Sequence, residues 1–327
     1  MDVYDFTIIG SGPTGLFAGF YSGMRNMKTK IIEALPEVGG QLTVLYPEKF
    51  IYDVAGYPKI LAKDLVKNLY EQSNMFKPLF CLNERVKMIE RMPDNIIKIE
   101  TNNTTHFTKN LLISAGIGAF EPNKLPLKNA EKYEGKGIYY HVKNKDVFKD
   151  KHILIIGGGD TALDWALTFK DWAKKVTLIH RRDVFRAHES SVKSLFSSEV
   201  SVKLFWELKN INGNKNIESV DIINSKTQET ERINVNIVLV NIGFKADIGP
   251  IKNWKLNIDN RHIIVDNNQE TNIKGVFAAG DIAKQIDSVK LNLIATGFAQ
   301  AAVSVAIAKK RLDPKAALYE HSSEKRF

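Results

Sequence analysis

The chain has 327 residues, enough for two domains of ordinary size that each bury a core. Hydrophobic residues make up 44% and charged residues 25%, as in soluble globular proteins, and no apolar run approaches the roughly 18 residues that mark a membrane span. Cys81 is the single cysteine, which excludes an intrachain disulfide and a CxxC redox pair, and the formal net charge of +9 favours an acidic partner through long-range steering.

Asp2 and Asp5 flank a stretch that runs directly into an apolar strand, unlike a signal peptide, so a cytoplasmic protein is expected. That strand, 5–9, ends in Gly10-Ser11-Gly12-Pro13-Thr14-Gly15, and Leu16, Phe17, Phe20 and Met24 then follow a helical period. In such a GxGxxG turn the first glycine permits the sharp bend. The second lets backbone approach a pyrophosphate, and the third lets helix pack on strand. The chain reaches Glu33 23 residues after Gly10. A carboxylate there accepts hydrogen bonds from ribose hydroxyls and repels a 2'-phosphate, so this copy suits FAD or NAD. Strand-like runs at 86–90, 96–101 and 104–107, separated by Pro93-Asp94-Asn95 and Asn102-Asn103, predict a small antiparallel meander. The apolar run 111–116 reads as a buried strand rejoining a parallel sheet.

The plan then recurs. Strand 152–156 leads into Gly157-Gly158-Gly159-Asp160-Thr161-Ala162, with Leu163, Ala166, Leu167 and Phe169 at helical spacing. Again 23 residues after the first glycine, the second copy reaches His180-Arg181-Arg182, with Arg186 close behind. Planar guanidinium forks pair with phosphate, so this copy suits NADP(H). Runs at 202–205, 217–223 and 231–235, with a turn near 225–227, predict a second meander, and 237–243 a returning strand.

The segment 275–281 reads as a short strand ending in Gly280-Asp281, followed by a helix from about 293 to 310. It continues the first copy. The expected architecture is therefore α/β, with two Rossmann-like, three-layer dinucleotide-binding domains, each carrying a small antiparallel meander. Residues 1–118 with 245–327 form the first domain and 119–244 the inserted second, with Gly116, Gly118, Gly243 and Gly249 at the crossings. Basic residues are dispersed, without zinc-finger spacing or an RNP-like aromatic motif, so nucleic-acid binding is not expected; nor do the histidines show metal-ligand spacing.

The motifs GSGPTG, GGGDTA, HRRDVFRA and GVFAAGDI together resemble the thioredoxin reductase family of flavoproteins over essentially the whole chain. That family carries a CxxC where this chain has the cysteine-free stretch 137–143. The stretches GGQLT (39–43), LYPEK (45–49) and IYDVAG (51–56), with the tail YEHSS (319–323), resemble the thioredoxin-reductase-like ferredoxin-NADP reductases.

The resemblance implies FAD in the first copy and NADPH in the second. It implies Gly10, Gly12, Thr14 and Gly15 at the FAD pyrophosphate, Glu33 at its ribose, Gln41 on the flavin side and Asp281 on the ribitol. Phe120 and the backbone near Val86 fall on the adenine side. Tyr46 matches a tyrosine stacked on one flavin face, and His321 a tail histidine on the other, supplied by the second subunit of a homodimer. Ser323 lies in the same tail, which departs from the family pattern in length and serine spacing. Gly157, Gly159, Asp160, Thr161, Ala162, His180, Arg181, Arg182 and Arg186 fall to NADPH. The implied reaction takes hydride from NADPH to FAD and passes single electrons to an acidic ferredoxin or flavodoxin, reversibly, with no side-chain acid, base or nucleophile. The helix near Leu293 is expected to direct its positive end at the flavin N1 and C2 carbonyl. Other acceptors (a quinone, free flavin or an external disulfide carrier) remain open, as does a non-catalytic coenzyme-binding sensor.

Overall fold

The computed structural model describes residues 2–318, with side chains described throughout except at 119–121, 245 and 246. The chain divides into two compact units, residues up to Ala119 with those from Ala246 on, and Phe120–Lys245.

In the first unit β1 (Val3–Ile9), α1 (Pro13–Met24), β2 (Thr29–Ile32), α2 (Ala62–Asn74) and β3 (Leu79–Cys81) lay down a parallel sheet. Ile9 pairs with Ile32 on one side of β1 and with Ile113 on the other. The meander strands are β4 (Val86–Arg91) and β5 (Ile97–Thr101), and its third strand is continuous with the returning parallel strand. Both are β6 (Thr105–Ile113). The separate runs expected at 104–107 and 111–116 are thus one strand. Its first half pairs antiparallel with β5, while nearly its whole length pairs parallel with β1, so both sets of hydrogen bonds share one backbone.

The inserted unit repeats the parallel plan with β7 (Ile138–Tyr139), β8 (His152–Gly157), α3 (Asp160–Phe169), β9 (Lys175–His180), α4 (Glu189–Phe196) and β10 (Ser201–Leu204). After the meander β11 (Trp206–Asn212), β12 (Ser219–Asn224) and β13 (Thr230–Asn234), β14 (Ile237–Asn241) returns beside β8, giving the order β7-β14-β8-β9-β10. The run expected to open the meander, 202–205, instead extends the parallel sheet, with Val202 opposite Leu178. Phe205, at φ +67°, turns the corner into β11, which opens the meander in its place. Here the meander is a separate sheet. Its Ile211, Val220 and Ile222 pack with Leu154, Ile156, Ile179 and Val240 of the parallel sheet.

Back in the first unit, β15 (His262–Val265), β16 (Val276–Ala278), β17 (Ala283–Gln285) and α5 (Ile294–Leu312) complete the fold, and β16 pairs parallel with the end of β6. Alternation along the strands sorts the sheet into two cores. Phe6, Ile8, Ile31, Leu112 and Phe277 meet Ala18 of α1 with Ala301 and Val305 of α5. Ile9, Ile32, Leu111, Ile113 and Val276 meet the meander and Trp254 on the opposite face. Each large side chain so buried contributes about 1.5–3 kcal/mol. The consequence for function is that β1, β2, β6 and β16 end together, where an open α/β sheet presents its binding crevice. Among the described residues no helix is long and apolar enough to cross a membrane.

Candidate functional sites in the two units

At the first glycine turn each glycine answers a different demand. Gly10 sits at φ +99°, where an added Cβ would stand 2.5 Å from the Ser114 carbonyl oxygen. A Cβ on Gly15 would fall 1.9 Å from the Gly10 oxygen, so helix and strand touch there. Around Gly12 nothing lies within 4 Å, leaving open the side where a pyrophosphate fits. The helix α1 begins with Pro13 and has no side-chain cap, so its first N–H groups are free for an anion.

Glu33 ends β2 and is only 7% exposed. Its Oε2 accepts from the Ser11 N–H and Ser11 Oγ, each at 2.8 Å, and its Oε1 from the Leu35 N–H at 3.0 Å. A carboxylate oxygen accommodates two such bonds, so Oε1 keeps a vacancy suited to a ribose hydroxyl. Val86, 7% exposed, opens β4 within the core.

A second cluster gathers at the other end of this site. Gly39 N–H bonds the Ser11 oxygen at 2.9 Å, holding the turn that starts a short helix at Gln41. The Gln41 side chain hydrogen-bonds Asp281, whose carboxyl is pushed above its ordinary range by burial, with Lys290 opposing and Asp53 adding to the rise. Burial pushes the Tyr46 phenol up to about 12, with Asp281 and Asp53 contributing. Burial also pulls the Lys290 ammonium down, against the attraction of Asp281. Thr14 directs its Oγ1 toward Gly280 and Gly297, where added Cβ atoms would stand 2.9 and 2.3 Å away. The structure therefore brings Thr14, Gln41, Tyr46 and Asp281 to one locality.

Asp53, to which the sequence reading gave no role, belongs to the same group. Its Oδ2 accepts from the Ile294 N–H at 2.7 Å, placing a carboxylate on the N-terminus of α5. The positive end expected near Leu293 thus already carries an anion. Lys290 was also overlooked, because neither residue stands in a glycine motif and only the folded chain places them beside Asp281. The side chain of Phe120, and His321 and Ser323 altogether, lie outside the described residues.

The second unit builds its own glycine turn. A Cβ on Gly157 would meet the Asn241 oxygen at 2.4 Å, and one on Gly158 would strike the His180 ring at 2.2 Å. His180 lies flat over that backbone and stacks on Phe185 with centroids 5.1 Å apart. Burial lowers its pKa, the Val184 carbonyl opposing and Arg181, Arg182 and Arg186 adding, which favours the neutral ring. Gly159 precedes α3, whose first turn holds Asp160, Thr161 and the fully buried Ala162.

The segment after β9 folds back over this turn. Arg186 N–H bonds the Gly158 oxygen at 2.7 Å, and His188 N–H bonds Asp160 Oδ1 at 2.9 Å. Asp160 thereby secures the segment through its side chain. The side chains of Arg181, Arg182 and Arg186 are exposed and form no ion pair among the described residues. Three guanidinium groups without an ion pair among the described residues, beside a glycine turn and helix start, have the chemistry to receive a dianionic phosphate.

Comparison with known proteins accords with two dinucleotide sites on one chain. A family model described as pyridine nucleotide-disulphide oxidoreductase matches residues 4–306. A protein named ferredoxin–NADP reductase 2 from Bacillus cytotoxicus is 48% identical over 326 residues, covering 100% of this chain and 98% of its own. One named ferredoxin–NADP reductase from Symbiobacterium thermophilum is 50% identical over 331 residues, covering 99% and 98%. Among solved structures, Lactococcus lactis thioredoxin reductase superposes with a TM-score of 0.79 at 28% identity, covering 94% of this chain and 98% of that one. With paired glycine turns, their distinct charges and matches of this length all agreeing, the chain belongs to the pyridine nucleotide-disulphide oxidoreductase family.

Proposed function

We propose that the protein is an NADPH-dependent flavoprotein that reduces ferredoxin, or flavodoxin, and runs reversibly. The observation that carries this reading is the opposition of charge between two similar sites, buried Glu33 at one and the exposed Arg181, Arg182 and Arg186 at the other. The unit containing Glu33 would hold FAD and the inserted unit NADPH. Relatives of about half-identical sequence named ferredoxin–NADP reductases support the acceptor.

FAD, when bound, supplies the exchange between a two-electron hydride donor and a one-electron carrier. The chain's own residues position and screen. Gly12 and the start of α1 receive the pyrophosphate, while Glu33 holds the adenosine ribose through its remaining acceptor position. Asp281 and Gln41, bonded to each other, orient the ribitol. Tyr46, whose phenol stays protonated at neutral pH, offers a flat uncharged face to the flavin ring. Among the described residues the one cysteine, Cys81, is half-buried with its thiol pushed up by burial, which suits a structural thiol and leaves no dithiol route. A homodimer in which His321 covers the partner's flavin, and a cytoplasmic location, complete the proposal and rest on the family resemblance and on the single cysteine.

Purified protein reconstituted with FAD should be yellow, bleach on anaerobic addition of NADPH and recover its colour when oxidised ferredoxin is added. Protein that stays colourless with FAD sinks the reading; bleaching without recovery by ferredoxin or flavodoxin sinks the acceptor alone.

A further inference from the structure

A relay of four side chains, three of them buried, lies beside Glu33. Lys30 Nζ stands 2.8 Å from His106 Nδ1, His106 Nε2 stands 2.6 Å from Glu84 Oε1, and Thr101 Oγ1 donates to the same Glu84 oxygen at 2.6 Å. Lys30, His106 and Glu84 are 6%, 7% and 6% exposed, and the Lys30 ammonium also lies 4.0 Å over the Tyr4 ring. Charges so deeply withdrawn from water are costly unless each is paired. Here each group has a partner. With Lys30 as the donor to Nδ1, Nε2 carries the ring hydrogen and donates to the carboxylate.

Cys81 closes in on the same place, and its sulfur with Glu84 and His106 forms a group whose ligand atoms lie within 4.8 Å of one another. Both ring nitrogens of His106 are already engaged, Nδ1 by Lys30 and Nε2 by Glu84, so a metal ion would have to displace one of these contacts. The arrangement is a continuous chain of hydrogen bonds from Lys30 to Thr101. What it touches is Glu33: the Glu33 N–H donates to the Cys81 oxygen and the Glu84 N–H donates to the Glu33 oxygen, each at 2.8 Å. Glu33 is thus clamped at its own backbone by Cys81 and by Glu84, the relay's anionic end.

We propose that Lys30, His106, Glu84 and Thr101 are positioning residues for the adenosine half of FAD, acting through the backbone clamp on Glu33. They join β2, β5, β6 and the segment after β3 into one unit. The carboxylate of Glu33 then meets the ribose without having to be ordered on binding, which is where preorganisation gains affinity. This inference rests on the reading of the first site as the FAD site.

The test uses apoprotein reconstituted with FAD, with ADP and riboflavin 5'-phosphate as competing half-ligands. His106→Phe keeps a ring in place but removes the link between Lys30 and Glu84, leaving Lys30 only the Tyr4 ring and Glu84 only the Thr101 hydroxyl; it should weaken FAD and ADP alike by about tenfold and leave the flavin half within about twofold. His106→Gln, which restores an acceptor for Lys30 and a donor for Glu84, should recover most of the loss. Should His106→Phe fail to fold, Thr101→Val, which removes one anchor of Glu84 near the surface, should still weaken FAD and ADP by about threefold. Unchanged ADP binding in the folded variants overturns the proposal. So does an equal loss for both half-ligands, or a Gln variant no better than Phe. Wild-type apoprotein that takes up no FAD instead overturns the assignment of the site itself.

Discussion

Glu33 and Ser11 are joined twice, the carboxylate taking both the backbone N–H and the hydroxyl of the residue inside the glycine turn at 2.8 Å. The turn and the proposed ribose carboxylate are consequently joined before any ligand arrives. Replacing Glu33 by Ala removes the proposed ribose acceptor and frees the turn together. FAD affinity should fall by roughly ten- to 150-fold, the equivalent of ~1.5–3 kcal/mol for one charge-assisted bond. Ser11→Ala should cost about threefold, since the N–H bond survives. Fluorescence titration of apoprotein with FAD reads both, and equal losses would mean that Glu33 acts only by holding the turn.

The arginines of the other unit, read as the NADPH phosphate site, should act through affinity alone. Arg181 is exposed, and its neighbour Arg186 is held by its backbone against Gly158, so the segment keeps its shape when one guanidinium is lost. Arg181→Ala should raise the KM for NADPH by roughly ten- to 150-fold and leave that for NADH nearly untouched, because only NADPH carries the 2'-phosphate. Steady-state kinetics with both coenzymes decides it. A parallel rise for NADH would refute the assignment.

How far these sites could be read before folding depends on whether a signal is local. Gly10, Gly157, Glu33 and the arginine cluster stand at fixed offsets along the chain, and the parallel strands around them announce themselves as apolar runs. The strand β11 does not, since Glu207, Lys209, Asn210 and Asn212 dilute its alternation, and 202–205 reads as the meander strand in its place. The single strand β6 likewise read as two, because Lys109 and Asn110 interrupt its apolar pattern where one edge changes partner. Asp53 and Lys290 are invisible for another reason: Asp53 nears Asp281 only through the fold, and no motif or spacing rule marks Lys290 a few residues after it.

Asp281 should show a trade between stability and binding. Burial raises its folded pKa above the unfolded value, so the unfolded chain ionises first. Stability is then lost as pH rises from the unfolded value of 3.8 through the raised folded one, and the penalty persists at neutral pH. Asp281→Asn should therefore raise the apoprotein Tm at pH 7 by about 1–3 °C, with no gain below the unfolded pKa, while weakening FAD binding. Thermal melts of the apoproteins across pH test the sign. A variant less stable than wild type at pH 7 would contradict the burial argument.

Encounter with an acidic acceptor should depend on salt. With a net charge of +9 the chain attracts an anionic protein over distances beyond contact, and at 0.15 M salt the screening length is only about 8 Å. The second-order rate of ferredoxin reduction should drop by about tenfold between low and high ionic strength, with hydride transfer from NADPH in the pre-bound complex unaffected. Stopped-flow measurement separates the two steps, and a flat response would rule out electrostatic docking while leaving the chemistry intact.

The carboxylate on α5 leads to the last expectation. A bare helix N-terminus carries about half a positive charge and would favour the anionic, reduced form of a flavin placed before it. Asp53 accepts the Ile294 N–H at that position and offsets this field, with Asp281 near enough for the two carboxyls to sense each other. Asp53→Asn keeps an oxygen for the N–H but removes the charge. The two-electron FAD potential should therefore rise by roughly 10–40 mV, corresponding to ~0.5–2 kcal/mol at about 30 mV per 1.4 kcal/mol. Reduction by NADPH should become more favourable and electron delivery to a low-potential acceptor slower. Spectroelectrochemical titration of both proteins reads the shift directly; a potential that stays put or falls would show that the Asp53 charge is screened from the flavin and that the open end of α5 is set by other groups.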